Sequence, residues 1–178
     1  QDGVGFYQLT QKNYRRSSTS VAYLRPAERR PNLTVQTGAQ VLRIVVDQGR
    51  ATGVELAGQG VLRAGEVILS AGAIGSPRLL QLSGIGPAGL LQDMGVPVVV
   101  DNPNVGDHLN DHQGINYTWR MKVATYNGIL RPWWGKAWVA LHYALLRGGP
   151  LAKSINHAGG FFRTSPDLTR PNMQLYFQ

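Results

Sequence analysis

The stretch Ser70-Ala71-Gly72-Ala73-Ile74-Gly75-Ser76-Pro77, running on through Leu79-Leu80 to Ser83-Gly84-Ile85-Gly86-Pro87, packs four glycines and two prolines into 18 residues. Glycines at a strand-to-helix turn let a ligand come close to the main chain, and a helix start offers unpaired N–H groups to an anion. The same residues could serve only as helix caps and stops. His108 and His112 are four apart and would form a metal pair if they lay on a helix. Metal centres need three or four ligands, and Val105-Gly106-Asp107 reads as a turn, so a hydrogen-bonded crossover through Asp111 and His112 is the better reading. His142 falls among Trp138, Leu141 and Leu145 and reads as a packed or surface histidine. His157, beside Asn156 and Gly159-Gly160, could line a cleft or simply occupy a loop. Trp133, Trp134 and Trp138 could wall an apolar ligand, although their spacing suits a helix packing face better.

The elements that must position these residues follow from periodicity and turn chemistry. "GFYQLT" reads as a strand, and Ser17–Ser20 caps a helix to about Arg25 with Val21, Ala22 and Leu24 on its buried face. Pro26 either interrupts that helix or starts a further turn. "NLTVQT", "AQVLRIVVD" and "RATGVELAG" are strand-like, and Asp47-Gln48-Gly49-Arg50 forms a hairpin turn between the last two. "VILS" is a continuous apolar run, the pattern of a strand covered on both faces. Ser76 then stands in an N-cap position with Pro77 in the first turn of a short helix that ends at Ser83-Gly84. "AGLLQDMG" is a second short helix stopped by Gly95, and "VPVVVD" a strand. Beyond residue 112, "GINYTWRM", "GGFFRT" and "MQLYFQ" read as strands, and "WWGKAWVALHYALL" as an amphipathic helix closed by Arg147-Gly148-Gly149-Pro150. A native strand cut at its end would leave an unpaired edge, so self-association is expected.

At 178 residues, 43% hydrophobic and 16% charged, the chain is globular in composition and long enough for a sizeable core. It has no cysteine, which excludes disulfides and thiolate-ligated metal sites. The net charge of +8 raises nucleic acid as a partner, but no zinc-finger spacing, RNP-like aromatic motif or Lys/Arg-rich helix supports it. No signal-peptide pattern or 20-residue apolar run is present, and the chain opens on Gln1 without a Met, as an internal segment would. A cytoplasmic location, or one peripheral to the inner membrane, is the expectation.

The pattern Gly72-Ala73-x-x-Ser76-Pro77-x-Leu79-Leu80-x-x-Ser83-Gly84-Ile85-Gly86 resembles the second signature of the glucose-methanol-choline (GMC) flavin oxidoreductases at each fixed position. "AYLRPAERRPNLTVQTGAQVLRI", "RATGVEL", "EVILSAGA" and "VPVVVDNPNVGDHLNDH" resemble the family in the same order, so the likeness covers nearly the whole chain. Within the family the segment is similar to bacterial alcohol and choline dehydrogenases. The resemblance implies an α+β / α/β fold: residues 1–112 as part of an FAD-binding lobe with an antiparallel section, and 113–178 as the start of a sheet-plus-helix substrate lobe. It implies FAD as cofactor and hydride transfer from an alcohol carbon to flavin N5, with quinone or oxygen as the electron acceptor. By motif, Val41 in "TGAQV" is similar to the valine whose backbone meets the adenine, and Ser70, Ala71 and Gly72 to the turn beside the ribose and diphosphate. Asn104 and His108 depart from the family's usual Gly and Asn. The glycine motif of the family's N-terminal βαβ unit and its C-terminal catalytic histidine segment are absent from these residues, so the segment alone is not expected to catalyse. A non-catalytic sub-domain binding a partner is the rival reading.

Overall fold

The computed structural model describes residues 2–154, 156 and 158–177. In chain order the elements are β1 (Gly3–Phe6), β2 (Gln11–Lys12), β3 (Arg15–Arg16), a π-helical turn Ser20–Leu24 running into α1 (Arg25–Ala27), β4 (Val41–Asp47), β5 (Arg50–Leu56) and β6 (Gly60–Arg63). They continue with α2 (Gly72–Leu82), β7 (Ile85–Gly86), α3 (Ala88–Asp93), β8 (Val100–Asp101), α4 (Tyr126–Leu130), α5 (Trp133–Leu146), a 3-10 turn Pro150–Ala152, β9 (Ala158–Phe162) and β10 (Met173–Phe177). The fold is mixed helix and strand, and its two three-stranded sheets are antiparallel.

Two compact units emerge: a central one, Val35–Asn116, and a terminal one made of Gln1–Thr34 and Tyr117–Gln178. The first 34 residues cluster with residues 117–178.

The central unit is built on the meander β4-β5-β6. Asp47 pairs with Arg50 across the expected turn, where Gln48 (φ 47°) and Gly49 (φ 78°) are both left-handed. Two consecutive positive φ values make a turn whose twist matches that of the strands, which is why Gly follows Gln there. Arg43 faces Glu55 across the ladder with Nε 2.6 Å from Oε2. α2 docks on β4 through Ser83, a buried residue whose Oγ accepts from the Ile44 amide at 2.8 Å and donates to the Leu79 carbonyl. Beyond it, β7 and β8 form a short parallel pair, and α3 buries Leu91 to 2% exposure.

The terminal unit carries the sheet β1-β9-β10, with β9 central. Glycines meet glycines where Gly5 faces Gly159, and the Tyr7 hydroxyl donates to the Leu175 carbonyl at 3.0 Å. Arg163 binds Asp2 at 3.0 Å. α5 ends as its composition requires: Arg147 adopts φ 52° and its amide donates to the Tyr143 carbonyl.

The sequence reading needs several corrections. "NLTVQT", "VILS" and "GINYTWRM" are not strands, and "VPVVVD" contributes only Val100–Asp101. Their apolar residues have no ladder partner in the described structure; Ile68 is 81% exposed and Trp119 78%. The helix Ser20–Ala27 buries none of its residues, and Pro26 continues the turn by standing in the first positions of α1. A sizeable core is missing as well. The buried apolar residues among those described are Ile44, Leu56, Leu91, Val139 and Ala152. The accessible surface is 15110 Å², against about 8,500 Å² for a compact monomer of 19.4 kDa. Much of the apolar surface that the sequence marks for burial is therefore uncovered.

Candidate functional site

The opening stretch folds into a turn and an 11-residue helix, but the helix starts earlier than Ser76-Pro77 suggests. Ala71 is the residue before the first turn and Gly72 (φ 86°) is the first residue of α2. Ser76 still acts on the helix start, from within: its Oγ accepts the Ala71 amide at 3.1 Å. Pro77 consequently lies inside α2, where it cannot donate to the Ala73 carbonyl. The hydrogen bond that Ser76 Oγ accepts satisfies the Ala71 amide, and Gly72–Gly75 belong to the helix ahead of it. No side chain caps α2 at Ala71.

The glycines of this stretch now separate into two kinds. A Cβ on Gly72 would meet nothing within 4 Å, and Ser70, Ala71, Gly72 and Ile74 are all exposed. Gly84 (φ 82°) is closed: a Cβ there would run into the Pro97 carbonyl and come within 2.8 Å of Val99 Cγ2. Its own carbonyl accepts from the amides of Val99 (2.8 Å) and Val100 (3.0 Å). Gly86 is buried and pairs with Asp101, and its carbonyl accepts from the Asn102 amide. The run Gly84-Ile85-Gly86-Pro87-Ala88-Gly89 even has Gly-x-Gly-x-x-Gly spacing, yet it follows a helix and opens only the six-residue α3, so it lacks the strand-turn-helix setting of a dinucleotide fingerprint. Packing explains Gly84 and Gly86, whereas among the described residues nothing comes within 4 Å of a Cβ at Gly72.

Val41 begins β4, half-buried and paired with Leu56, just before a register shift. It shares the central unit with Ser70–Gly72. Val41 is three residues from Ile44, which is tied to Ser83 at the C-terminal end of α2, and Gly72 is at the other end, about 16 Å away along the axis. A ligand that touched both would have to be extended. The α2 start is exposed and has no side-chain cap at Ala71, and Val41 at the start of β4 is half-buried.

The histidines form no centre. His108 (φ 59°) and His112 lie outside any helix, and their amides bond the preceding Asp107 and Asp111 carboxylates at 2.8 and 2.7 Å. Among the described residues no group of three metal-ligating side chains occurs. His142 packs within 6.0 Å of the Trp138 ring, and Gly148 lies against its imidazole. His157 lies outside the described residues. Trp133, Trp134 and Trp138 do not form the packing face their spacing suggested, being 76, 64 and 62% exposed.

A second feature, which sequence reasoning missed, lies wholly in the terminal unit. A cavity of about 630 Å³ is lined by Tyr14, Arg15, Arg16, Lys153, Asn156 and the Tyr7-Gln174-Tyr176 cluster, among others. The cluster is internally paired, Gln174 Nε2 donating to Tyr7 Oη and Tyr176 Oη to Gln174 Oε1. Asn156 Oδ1 is buried and has no hydrogen-bond partner. These residues come from β3, β10 and loops far apart in the chain, so no local pattern announces them.

Comparison with known proteins places these features in a family. The GMC oxidoreductase family model matches residues 1–114. An oxygen-dependent choline dehydrogenase of Pseudomonas putida is 41% identical across 99% of the chain and 33% of its own length, and an alcohol dehydrogenase [acceptor] of Pseudomonas putida is 37% identical over the same shares. Among solved structures, a formate oxidase variant of Aspergillus oryzae aligns with a TM-score of 0.83 and 26% identity over 98% of this chain and 35% of its own. An FAD-dependent oxidoreductase from Chaetomium thermophilum aligns at 0.78 and 27%, over 89% of this chain and 30% of its own. The chain thus spans about a third of the length of the curated relatives it matches. With the family model covering the open turn and its helix and the relatives covering nearly everything described above, this chain belongs to the GMC oxidoreductase family.

Proposed function

We propose that this chain is a segment of an FAD-dependent alcohol oxidoreductase of the choline or alcohol dehydrogenase type. The observation that carries the reading is Gly72: a left-handed glycine at an uncapped helix start, open where Gly84 is closed. There the α2 amides would hold the cofactor's diphosphate, with Ser70 and Ala71 beside it and the Val41 backbone at the adenine. When bound, FAD supplies the flavin N5 that accepts hydride from the alcohol carbon, leaving an aldehyde or ketone. The chain's own share is binding and orientation. In the terminal unit, Asn156 Oδ1 offers a buried acceptor to a donor such as the substrate hydroxyl. Catalytic acid/base groups would come from the remaining two thirds of the protein, so the isolated segment would not turn over alcohol. The apolar run Val67–Ser70, without a ladder partner, supports this: other strands would have to cover it.

The test is the visible absorption spectrum of the full-length product that carries this segment, before and after anaerobic addition of a primary alcohol. Flavin bands that bleach on addition support the reading. A folded, colourless protein that takes up no added FAD refutes it.

A further inference from the structure

α5 carries two apolar faces, and the terminal unit covers one of them. Gly135 and Val139 are buried, with Gly135 against the Ile129 carbonyl of α4. Trp134, Trp138, Leu141 and Leu145 follow the 4-3-4 spacing of a single helical stripe and are 64, 62, 52 and 71% exposed. Large apolar stripes left open on a helix mark interaction surfaces.

The charge distribution says what covers this one. The terminal unit holds 14 Lys and Arg against 3 Asp and Glu, and the central unit 4 against 7, out of 18 and 10 in the chain. The whole positive excess therefore lies in the unit that exposes the tryptophans. Arg131 precedes α5, Lys136 lies on it and Arg147 closes it, with its guanidinium 5.1 Å from the Tyr143 ring centre. Among the described residues no helix is long and apolar enough to cross a membrane, and at 14 residues α5 reaches only about 21 Å. α5 itself carries a single Lys, so the charge is that of the unit around it, and a short helix with an open Trp/Leu face set in a basic unit can lie in the plane of a bilayer with its rings at the headgroup level.

We propose that α5 docks the protein on an anionic lipid surface, with the Trp134-Trp138-Leu141-Leu145 stripe entering the interface and the basic terminal unit held against the headgroups. A polyanion such as nucleic acid would use the cations and leave the stripe in water; the bilayer uses both.

The experiment is co-sedimentation of the full-length protein with vesicles of phosphatidylcholine alone or with about one third phosphatidylglycerol, at about 0.1 M and 0.5 M salt. Binding is expected on the anionic vesicles, about fivefold weaker for each surface cation removed, as in Lys136→Gln, and weaker in high salt. Trp134→Ser with Trp138→Ser is expected to lower partitioning at least about tenfold in both salts, because the apolar contact is lost. In the wild-type protein the emission of these two tryptophans, identified by difference from the Trp134→Phe and Trp138→Phe variants, should be open to acrylamide in solution and shift to the blue on vesicles. Four results overturn the proposal: no binding to anionic vesicles, binding unchanged by the double substitution, tryptophans already shielded in solution because the rest of the protein covers them, or retention on duplex DNA with no vesicle binding. The Phe variants keep the helix apolar, so a Ser variant that fails to fold leaves the quenching measurement to decide.

Discussion

Gly72 and Gly84 are both left-handed glycines flanking the same helix, and substituting each by alanine separates ligand approach from packing. At Gly72 the added methyl meets open space, so Gly72→Ala should cost only the left-handed backbone penalty, about 1–2 kcal/mol of stability. At Gly84 the same penalty is joined by overlap with the Pro97 carbonyl and Val99, so Gly84→Ala should cost about 2–5 kcal/mol in all. Cofactor affinity should run the other way. A methyl at Gly72 would stand where the diphosphate approaches the α2 amides, and an intrusion of that size costs about 1–3 kcal/mol, roughly 5- to 150-fold in Kd. Both variants of the full-length protein would be unfolded in urea to obtain stability, and the apoprotein titrated with FAD by flavin fluorescence. Gly84→Ala should bind FAD normally wherever it is folded. If Gly72→Ala bound FAD as tightly as the wild type, the open glycine would have no ligand role. If Gly84→Ala were as stable as the wild type, the close approach to residues 97–99 would be wrong.

Other substitutions probe the supports. Ser83→Ala removes the acceptor of the buried Ile44 amide and should destabilise the central unit by about 1–3 kcal/mol, read as a lower urea midpoint with unchanged slope. Asn156→Leu replaces an unpaired buried acceptor by a side chain of similar size, so stability should hold or rise while KM for the alcohol increases about tenfold; an unchanged KM would remove Asn156 from substrate binding.

What could be read from the sequence was decided by local chemistry. The β4-β5 turn follows from Gln48-Gly49, α5 from its apolar periodicity with Arg147-Gly148-Gly149 behind it, and α3 from Gly95, whose φ of 70° ends it. β9 and β10 follow from their aromatic and aliphatic residues beside Gly and turn signals and pair with each other along five residues. The helix start at Gly72 escaped because Ser76-Pro77 imitates a cap; the hydroxyl reaches back to Ala71 instead. The open and closed glycines are indistinguishable as letters, since the difference lies in residues 97–99 folding onto Gly84 from a dozen positions away. The terminal-unit cavity was invisible for the same reason, its residues being up to 169 apart in sequence.

The strands that failed to appear share one physical cause, and it bears on how the exposed tryptophans should be understood. "VILS" and "GINYTWRM" have the composition of strands but no ladder partner in the described structure; Ile68, Ile115, Tyr117, Trp119 and Met121 are exposed, while Val67 and Leu69 are half-buried. The α5 stripe is uncovered too, so exposure alone does not distinguish surface awaiting the rest of a protein from surface meant for another phase. Charge and hydrogen bonding do. Val67–Ser70 lies in a unit with an acidic excess, and as extended chain it carries amides that require partners, a demand lipid cannot meet. The α5 backbone is already satisfied by its own helix, and its unit holds the whole positive excess. Strand addition from the remainder of the protein therefore suits the first, and an anionic interface the second. In the full-length protein Ile68 should be protected from solvent with or without vesicles, while Trp134 and Trp138 should become protected only when vesicles are present. Protection of both before any lipid is added would assign both surfaces to the protein itself.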